Sequence, residues 1–132
     1  PEFDNIKRYC KKNNLNVLLT GYLEHDELFK LLYVSNLFCI CSYYDASPKI
    51  INEAMNFQLP IISRSTIGTA GDLVIHDKNG FIYNSIDELK DYVCKLYHDK
   101  NLRSKFSKES INILDKKFNV ENIVKNLTKA CK

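Results

Sequence analysis

The sequence predicts an α/β domain built on a doubly wound, mostly parallel sheet, with helices at its C-terminal end. Three observations carry this. Short apolar runs suited to strands ("NVLLT", "LFCIC", "LPIIS" and "GFIY") alternate with segments of helical period. The connections between them are a few residues long. "LFCICSY" is apolar on both faces, as central parallel strands are.

In chain order, "EFDNIKRYCKKNN" spaces Phe3, Ile6 and Tyr9–Cys10 for a helix. "LNVLLTG" reads as a strand stopped by Gly21. "HDELFKLLYVSN" is a helix with acids in its first turn and Leu28, Leu31, Leu32 and Ser35 on one side. "LFCICSY" is the next strand. Ser47 suits a helix N-cap and Pro48 the first helical position, so "PKIINEAMNF" is a helix. "LPIIS" is a buried strand, "IGTAGDLVI" a turn plus short helix, and "NGFIYN" a turn and strand. Ser85 and Glu88 form a capping box for "IDELKDYVCKLYHD". "NLRSKFSKESINILDKKF" and "NVENIVKNLTKACK" are expected to be helices.

The chain has 132 residues, 45% hydrophobic and 27% charged, which is ordinary for a globular domain. A net charge of +3 with scattered lysines argues against a nucleic-acid partner and leaves a membrane-surface role open. No apolar run approaches the ~20 residues of a spanning helix. Five cysteines, an odd number without CxxC spacing, do not read as a disulfide scaffold, and a reducing cytoplasm fits them best. Cys39 and Cys41 fall on one face of a strand, where small buried thiols are expected. The chain begins at Pro1 and its single Met is Met55, so a piece of a longer protein is expected.

In open α/β sheets, ligands bind beyond the carboxyl ends of the strands. Loop 42–47 lies there and leads into a helix whose first N–H groups can receive phosphate. Two acids, Asp45 and Glu53, flank that helix mouth. On a wheel of about 100° per residue, Ile50, Ile51, Ala54, Met55 and Phe57 share one arc. Lys49, Asn52, Glu53 and Asn56 share the other. One reading makes Asp45 a turn residue and Glu53 a solvated partner of Lys49. The other turns both acids toward a crevice, where the two oxygens of Glu53 could accept protons from a diol.

The stretch "DASPKIINEAM" resembles the donor-binding motif of retaining GT-B glycosyltransferases, the "glycosyl transferases group 1" family: an acid, seven residues, then Glu followed by Ala-Met. "GYLEHDELFKLLYVSNLFCICS", "NEAMNFQLPIIS", "IGTAGDLV" and "DKNGFIY" extend the similarity in order over about residues 14–84. The resemblance implies a Rossmann-like half of a GT-B fold. It implies a nucleotide-diphosphate-sugar donor, hexosyl transfer to a saccharide or lipid-linked acceptor, and no metal or other cofactor. It places Glu53 on the ribose, Asp45 beside the transferred sugar as the catalytic residue, and Ser47, Pro48, Lys49 and Ile50 along the diphosphate and sugar. Tyr22 and Leu23 would line the base. Cell-surface polysaccharide or lipopolysaccharide synthesis is the implied setting, in the cytoplasm, with the inner face of the membrane as an alternative.

Some residues depart from the pattern. The first acid is Asp45 where Glu is usual, and Ala46 and Ser47 replace more typical residues. The Arg/Lys loop, the first strands of this domain and the N-terminal acceptor domain are expected to be absent, which makes residues 1–132 a partial C-terminal donor-binding domain. His25, His76 and His98 lack metal-ligand spacing. Tyr43 and Tyr44 read equally as ligand stackers or buried loop anchors. The competing class is a non-catalytic doubly wound binding or regulatory module.

Overall fold

The computed structural model describes residues 2–118, so the expected helix over 119–132 lies outside the described residues. The order of elements is α1 (Glu2–Lys12), α2 (His25–Val34), β1 (Phe38–Ile40), α3 (Lys49–Asn56), β2 (Ile61–Arg64), β3 (Gly80–Tyr83), α4 (Ile86–His98) and α5 (Lys100–Phe118). The chain forms two compact units that divide after Leu31, and each is described by itself.

The first unit holds α1 and the segment after it. The helix buries no residue, and Phe3, Ile6 and Tyr9 stay exposed. The strand expected at 15–21 does not form. Leu15 N–H donates to the Cys10 carbonyl at 2.9 Å, and Val17 N–H donates to the Leu15 carbonyl at 3.0 Å. A backbone that bonds two residues back cannot also serve a ladder. Leu15, Val17 and Leu18 remain exposed.

The second unit carries a three-stranded parallel sheet in the order β1-β2-β3. Phe38 pairs with Ile61 and Ile40 with Ser63; Ile61 pairs with Gly80 and Arg64 with Tyr83. This register places Cys39, Ile62 and Phe81 on one face. Leu96 of α4 and Phe106 of α5 close over that face, with Ile62, Phe81 and Tyr83 in one buried cluster. Ile61 and Ser63 point to the other face, and α3 packs on β2 through Ile51, Ala54 and Met55, all fully buried. Helices on both faces make the sheet doubly wound, as expected. Ser110 Oγ of α5 donates to the Leu59 carbonyl at 2.9 Å, tying α5 to the start of β2.

The capping box is present in a shifted form. Ser85 Oγ accepts from Glu88 N–H at 3.2 Å, and Glu88 Oε2 accepts from Asn84 N–H at 2.6 Å, one residue before the cap. Asp99 Oδ1 accepts from Leu102 N–H at 2.8 Å and opens α5. The helix expected within 67–75 is replaced by consecutive turns. Gly71 sits at φ +84°, a left-handed conformation that ends helical propagation, and the Thr69 carbonyl accepts from Asp72, Leu73 and Val74 N–H. Buried Asn79 holds the far side of this loop: its Nδ2 donates to the Leu73 carbonyl at 3.0 Å and its Oδ1 accepts from Ile75 N–H at 2.8 Å. No helix among the described residues is long and apolar enough to cross a membrane.

The sheet admits no side chain at Gly80. A Cβ there would lie 1.8 Å from the Ile61 carbonyl oxygen. Gly80→Ala should therefore lower the unfolding free energy by about 3 kcal/mol, the upper range for overpacking. Gly71→Ala meets open space and carries only the left-handed penalty, about 1 kcal/mol. Urea unfolding of the two variants checks the order; equal losses would contradict the close approach of β2 and β3.

Candidate functional site

β1 ends at Ile40, and the chain then runs over the carboxyl edge of the sheet through loop 41–48 into α3. Parallel pairing continues beyond the strands. Asp45 forms a parallel bridge with Ile67, and Gly68 N–H donates to the Asp45 carbonyl at 2.8 Å. Gly68 lies so close beneath the loop that a Cβ on it would fall 2.0 Å from the Ala46 carbonyl oxygen. Thr66 Oγ1 donates to the Tyr43 carbonyl, a second tie between the same two segments. The Arg64 guanidinium stands 4.7 Å from the centre of the Tyr43 ring. Tyr43 and Tyr44 are exposed, so neither is a buried anchor.

Within the loop, Asp45 is half-buried and its Oδ1 accepts from Ser47 N–H at 3.0 Å. This is the turn chemistry expected of an aspartate, and it leaves the second carboxylate oxygen for other contacts. Ser47 is not the N-cap. Pro48, buried and extended at φ −68°, ψ 113°, takes that position, and the helix starts at Lys49. The Ser47 hydroxyl is one residue too early to cap, and no side chain caps α3. Pro48 has no N–H. The first donors at the helix mouth are therefore Lys49 and Ile50, since Ile51 N–H already reaches the Pro48 carbonyl at 3.2 Å.

The charge order at this mouth is unusual for the chain. α1, α2 and α4 each begin with acids: Glu2 and Asp4, Asp26 and Glu27, Asp87 and Glu88. α5 is opened by Asp99. α3 has no acid in its first turn and carries exposed Lys49 there. A cation at the positive end of a helix dipole is unfavourable in the free protein and favourable once an anion arrives. Glu53 stands one turn further in, roughly 6 Å along the axis from Lys49, and is half-buried. Among the described residues no ion pair joins it to Lys49.

The structure thus gathers Asp45, Ser47, Pro48, Lys49 and Ile50 at one strand end, with Glu53 on the same helix. Tyr22, exposed, and Leu23, half-buried, belong to the first unit. A cavity of about 540 Å³ lies lower on α3, lined by Asn52, Asn56, Leu114, Asp115 and Phe118, and it holds none of the expected site residues. Among the described residues, no three His, Cys, Asp or Glu side chains cluster in a way that could hold a metal ion. The sequence reading missed Gly68 as the floor of the loop. It read the "IGTAG" glycines as a backbone turn, and nothing in their spacing names Ala46 as the neighbour.

A parallel sheet, covered on both faces, with this helix mouth at its carboxyl edge is the architecture of a GT-B C-terminal domain. The chain belongs to the glycosyl transferases group 1 family, whose model matches residues 1–113. It is 28% identical over 125 residues to an uncharacterized glycosyltransferase of Haemophilus influenzae, spanning 93% of this chain and 35% of that protein. Among solved structures it is similar to TarM, with a TM-score of 0.80 and 24% identity over 96% of this chain and 26% of that one. Sucrose-phosphate synthase of Thermosynechococcus elongatus gives 0.79 and 21% over 96% and 33%. The C-terminal domain of a glycosyl transferase group 1 family protein (LpcC) of Francisella tularensis gives 0.75 and 17% over 87% and 61%. The chain therefore spans about a third of the curated relative it matches.

If Gly68 sets the loop, Gly68→Ala should displace it. Large amide shifts are expected for residues 45–49 and 66–69, with β3 and α4 unmoved. Unchanged amides at 45–49 would show that the loop holds its place without this contact.

Proposed function

We propose that this chain is the donor-binding part of a retaining GT-B glycosyltransferase of the hexosyltransferase type, acting on a nucleotide-diphosphate-sugar. The observation that carries the reading is the mouth of α3, where N–H groups that no side chain caps meet Lys49 with no acid in the first turn of the helix. Lys49 and Ile50 N–H would hold the diphosphate, and the Lys49 ammonium would add a point charge. This fixed positive potential matters most as the diphosphate leaves and its charge grows. It performs the work a bound cation would otherwise do, so the reading includes no metal or other cofactor.

Glu53 would accept hydrogen bonds from the two ribose hydroxyls. Its half-buried carboxylate has no ion pair with Lys49 to give up, which supports that role. Asp45, held by Ser47 N–H, would present its free oxygen beside the transferred sugar. Ser47 and Pro48 form the wall of the segment between them. Retention places the acceptor on the face from which the diphosphate departs, so its alignment supplies much of the rate. That acceptor, a saccharide or a lipid-linked one, would be held by a further domain of the longer protein. Cell-surface polysaccharide or lipopolysaccharide synthesis at the cytoplasmic side of the membrane fits such chemistry.

Glu53→Gln in the longer protein should weaken nucleotide binding by roughly 1–3 kcal/mol, the range for a hydrogen bond to a charged group. Its melting temperature should barely move, because no Lys49 pair is lost. Calorimetric titration with nucleoside diphosphates decides this: wild-type affinity in the variant removes Glu53 from the ribose.

Two assays separate the remaining claims. Transfer by the longer protein should persist in excess chelator; activity that vanishes and returns with magnesium or manganese contradicts the charge argument. Residues 1–132 alone should bind the donor weakly and transfer nothing to labelled acceptors. Measurable transfer would mean that the missing groups lie within this chain.

A further inference from the structure

Cys39 and Cys41 sit two residues apart at the carboxyl end of β1, and their Sγ atoms are 3.4 Å apart. Cys39 is half-buried against the core cluster, while Cys41 is exposed. The Tyr83 side chain, at the end of β3, lies beside that of Cys41. One thiol is therefore open to a small solute, and a second touches it from behind. That is the arrangement of an attacking thiol with a resolving partner. The donor-site reading uses neither.

We propose that Cys39 and Cys41 form an oxidation-sensitive dithiol that hydrogen peroxide converts to a disulfide. In the first step the Cys41 thiolate attacks one peroxide oxygen. The O–O bond breaks, hydroxide leaves, and the sulfur becomes a sulfenic acid, oxidised by two electrons. In the second step Cys39 gives its proton to water and its sulfur attacks the Cys41 sulfur. The S–O bond breaks, hydroxide leaves, and the S–S bond forms. With protons returned, one peroxide is reduced to two waters and two thiols are oxidised.

The order of the steps follows from the surroundings. Burial first, and then the neighbouring Cys41, push the Cys39 thiol up to about 12, so it keeps its proton while Cys41 is the nucleophile. Closure also has a direction. Two residues of extended strand span about 6.6 Å between Cα atoms, near the upper end of the ~4.4–6.8 Å a disulfide accepts. The bond therefore draws the two residues together. Ile40 is the last residue of β1 paired with β2, so the unpaired Cys41 moves, and with it the start of the loop that carries Asp45.

The test is peroxide treatment of the full chain followed by alkylation, peptide mapping and amide spectra. Two thiols should become resistant to alkylation. The peptide holding Cys39 and Cys41 should lose two hydrogens and regain them with dithiothreitol, and amides of 41–47 should shift. Cys39→Ser should stop at a Cys41 sulfenic acid trapped by dimedone, and Cys41→Ser should leave Cys39 reduced. The proposal is overturned if both cysteines remain alkylatable in the treated wild type. It is equally overturned if Cys41 pairs with Cys10, Cys94 or Cys131, or advances to sulfinic acid beside a reduced Cys39. The wild-type map decides even where a serine variant fails to fold.

Discussion

The contact between Gly68 and the Ala46 carbonyl is the constraint on which the site depends. Two backbones meet there with no room for a methyl group. The neighbouring bond, Gly68 N–H to the Asp45 carbonyl, extends β1–β2 pairing past the sheet. The loop is thereby held at its midpoint to the turn segment that follows β2 instead of only at its ends. Such a tether sets the direction in which α3 starts, and the start of α3 sets where its free N–H groups point. The carboxyl edge of a parallel sheet therefore supplies the location, and one glycine supplies the precision.

What was legible in the sequence follows the range of the interaction that fixes it. Local signals were read well. The Ser85–Glu88 box and the apolar arc of α3, with Ile51, Ala54 and Met55 fully buried, needed only nearest-neighbour chemistry. The expected strand at 15–21 failed because its apolar pattern says nothing about a partner, and Val17 N–H turned back to Leu15 instead. The short helix expected in 67–75 failed for a different reason. Gly71 in the left-handed region and Asn79, four or more residues away from the groups it bonds, organise that loop as turns. At the site itself, the acid–x7–acid spacing named Asp45 and Glu53. Pro48 displaced Ser47 from the cap by a single position, within the usual uncertainty of helix ends.

The chemistry at the strand ends divides between two neighbouring sets of residues. Cys39 and Tyr83 lie on the core side, with exposed Cys41 beside them, and burial first of all raises both the Cys39 thiol and the Tyr83 hydroxyl to about 12. The Cys39 thiol and the Tyr83 hydroxyl are therefore neutral at physiological pH and add no charge to the site. Arg64, stacked over Tyr43, and Lys49 are the cations of the second set. The loop, the end of β2 and the start of α3 thus carry charges of both signs, Arg64 and Lys49 with Asp45 and Glu53, beside the neutral Cys39 and Tyr83.

The order of Lys49 and Glu53 on α3 is the one that helix stability alone does not favour. An i,i+4 pair is favourable when the acid precedes the base, because each charge then also meets the helix dipole correctly. Here the order is reversed, and the two side chains form no ion pair. α1, α2 and α4 carry acids in their first turns, whereas α3 and α5 do not, and α5 has Asp99 immediately before it. Reversal costs a few tenths of a kcal/mol to about 1 kcal/mol in the free protein. On the proposed reading, a bound anion at the mouth would cancel that cost and convert Lys49 from a misplaced charge into a partner. A helix that is less stable empty than occupied binds through the difference, and the residues that create it are those the sequence motif spans.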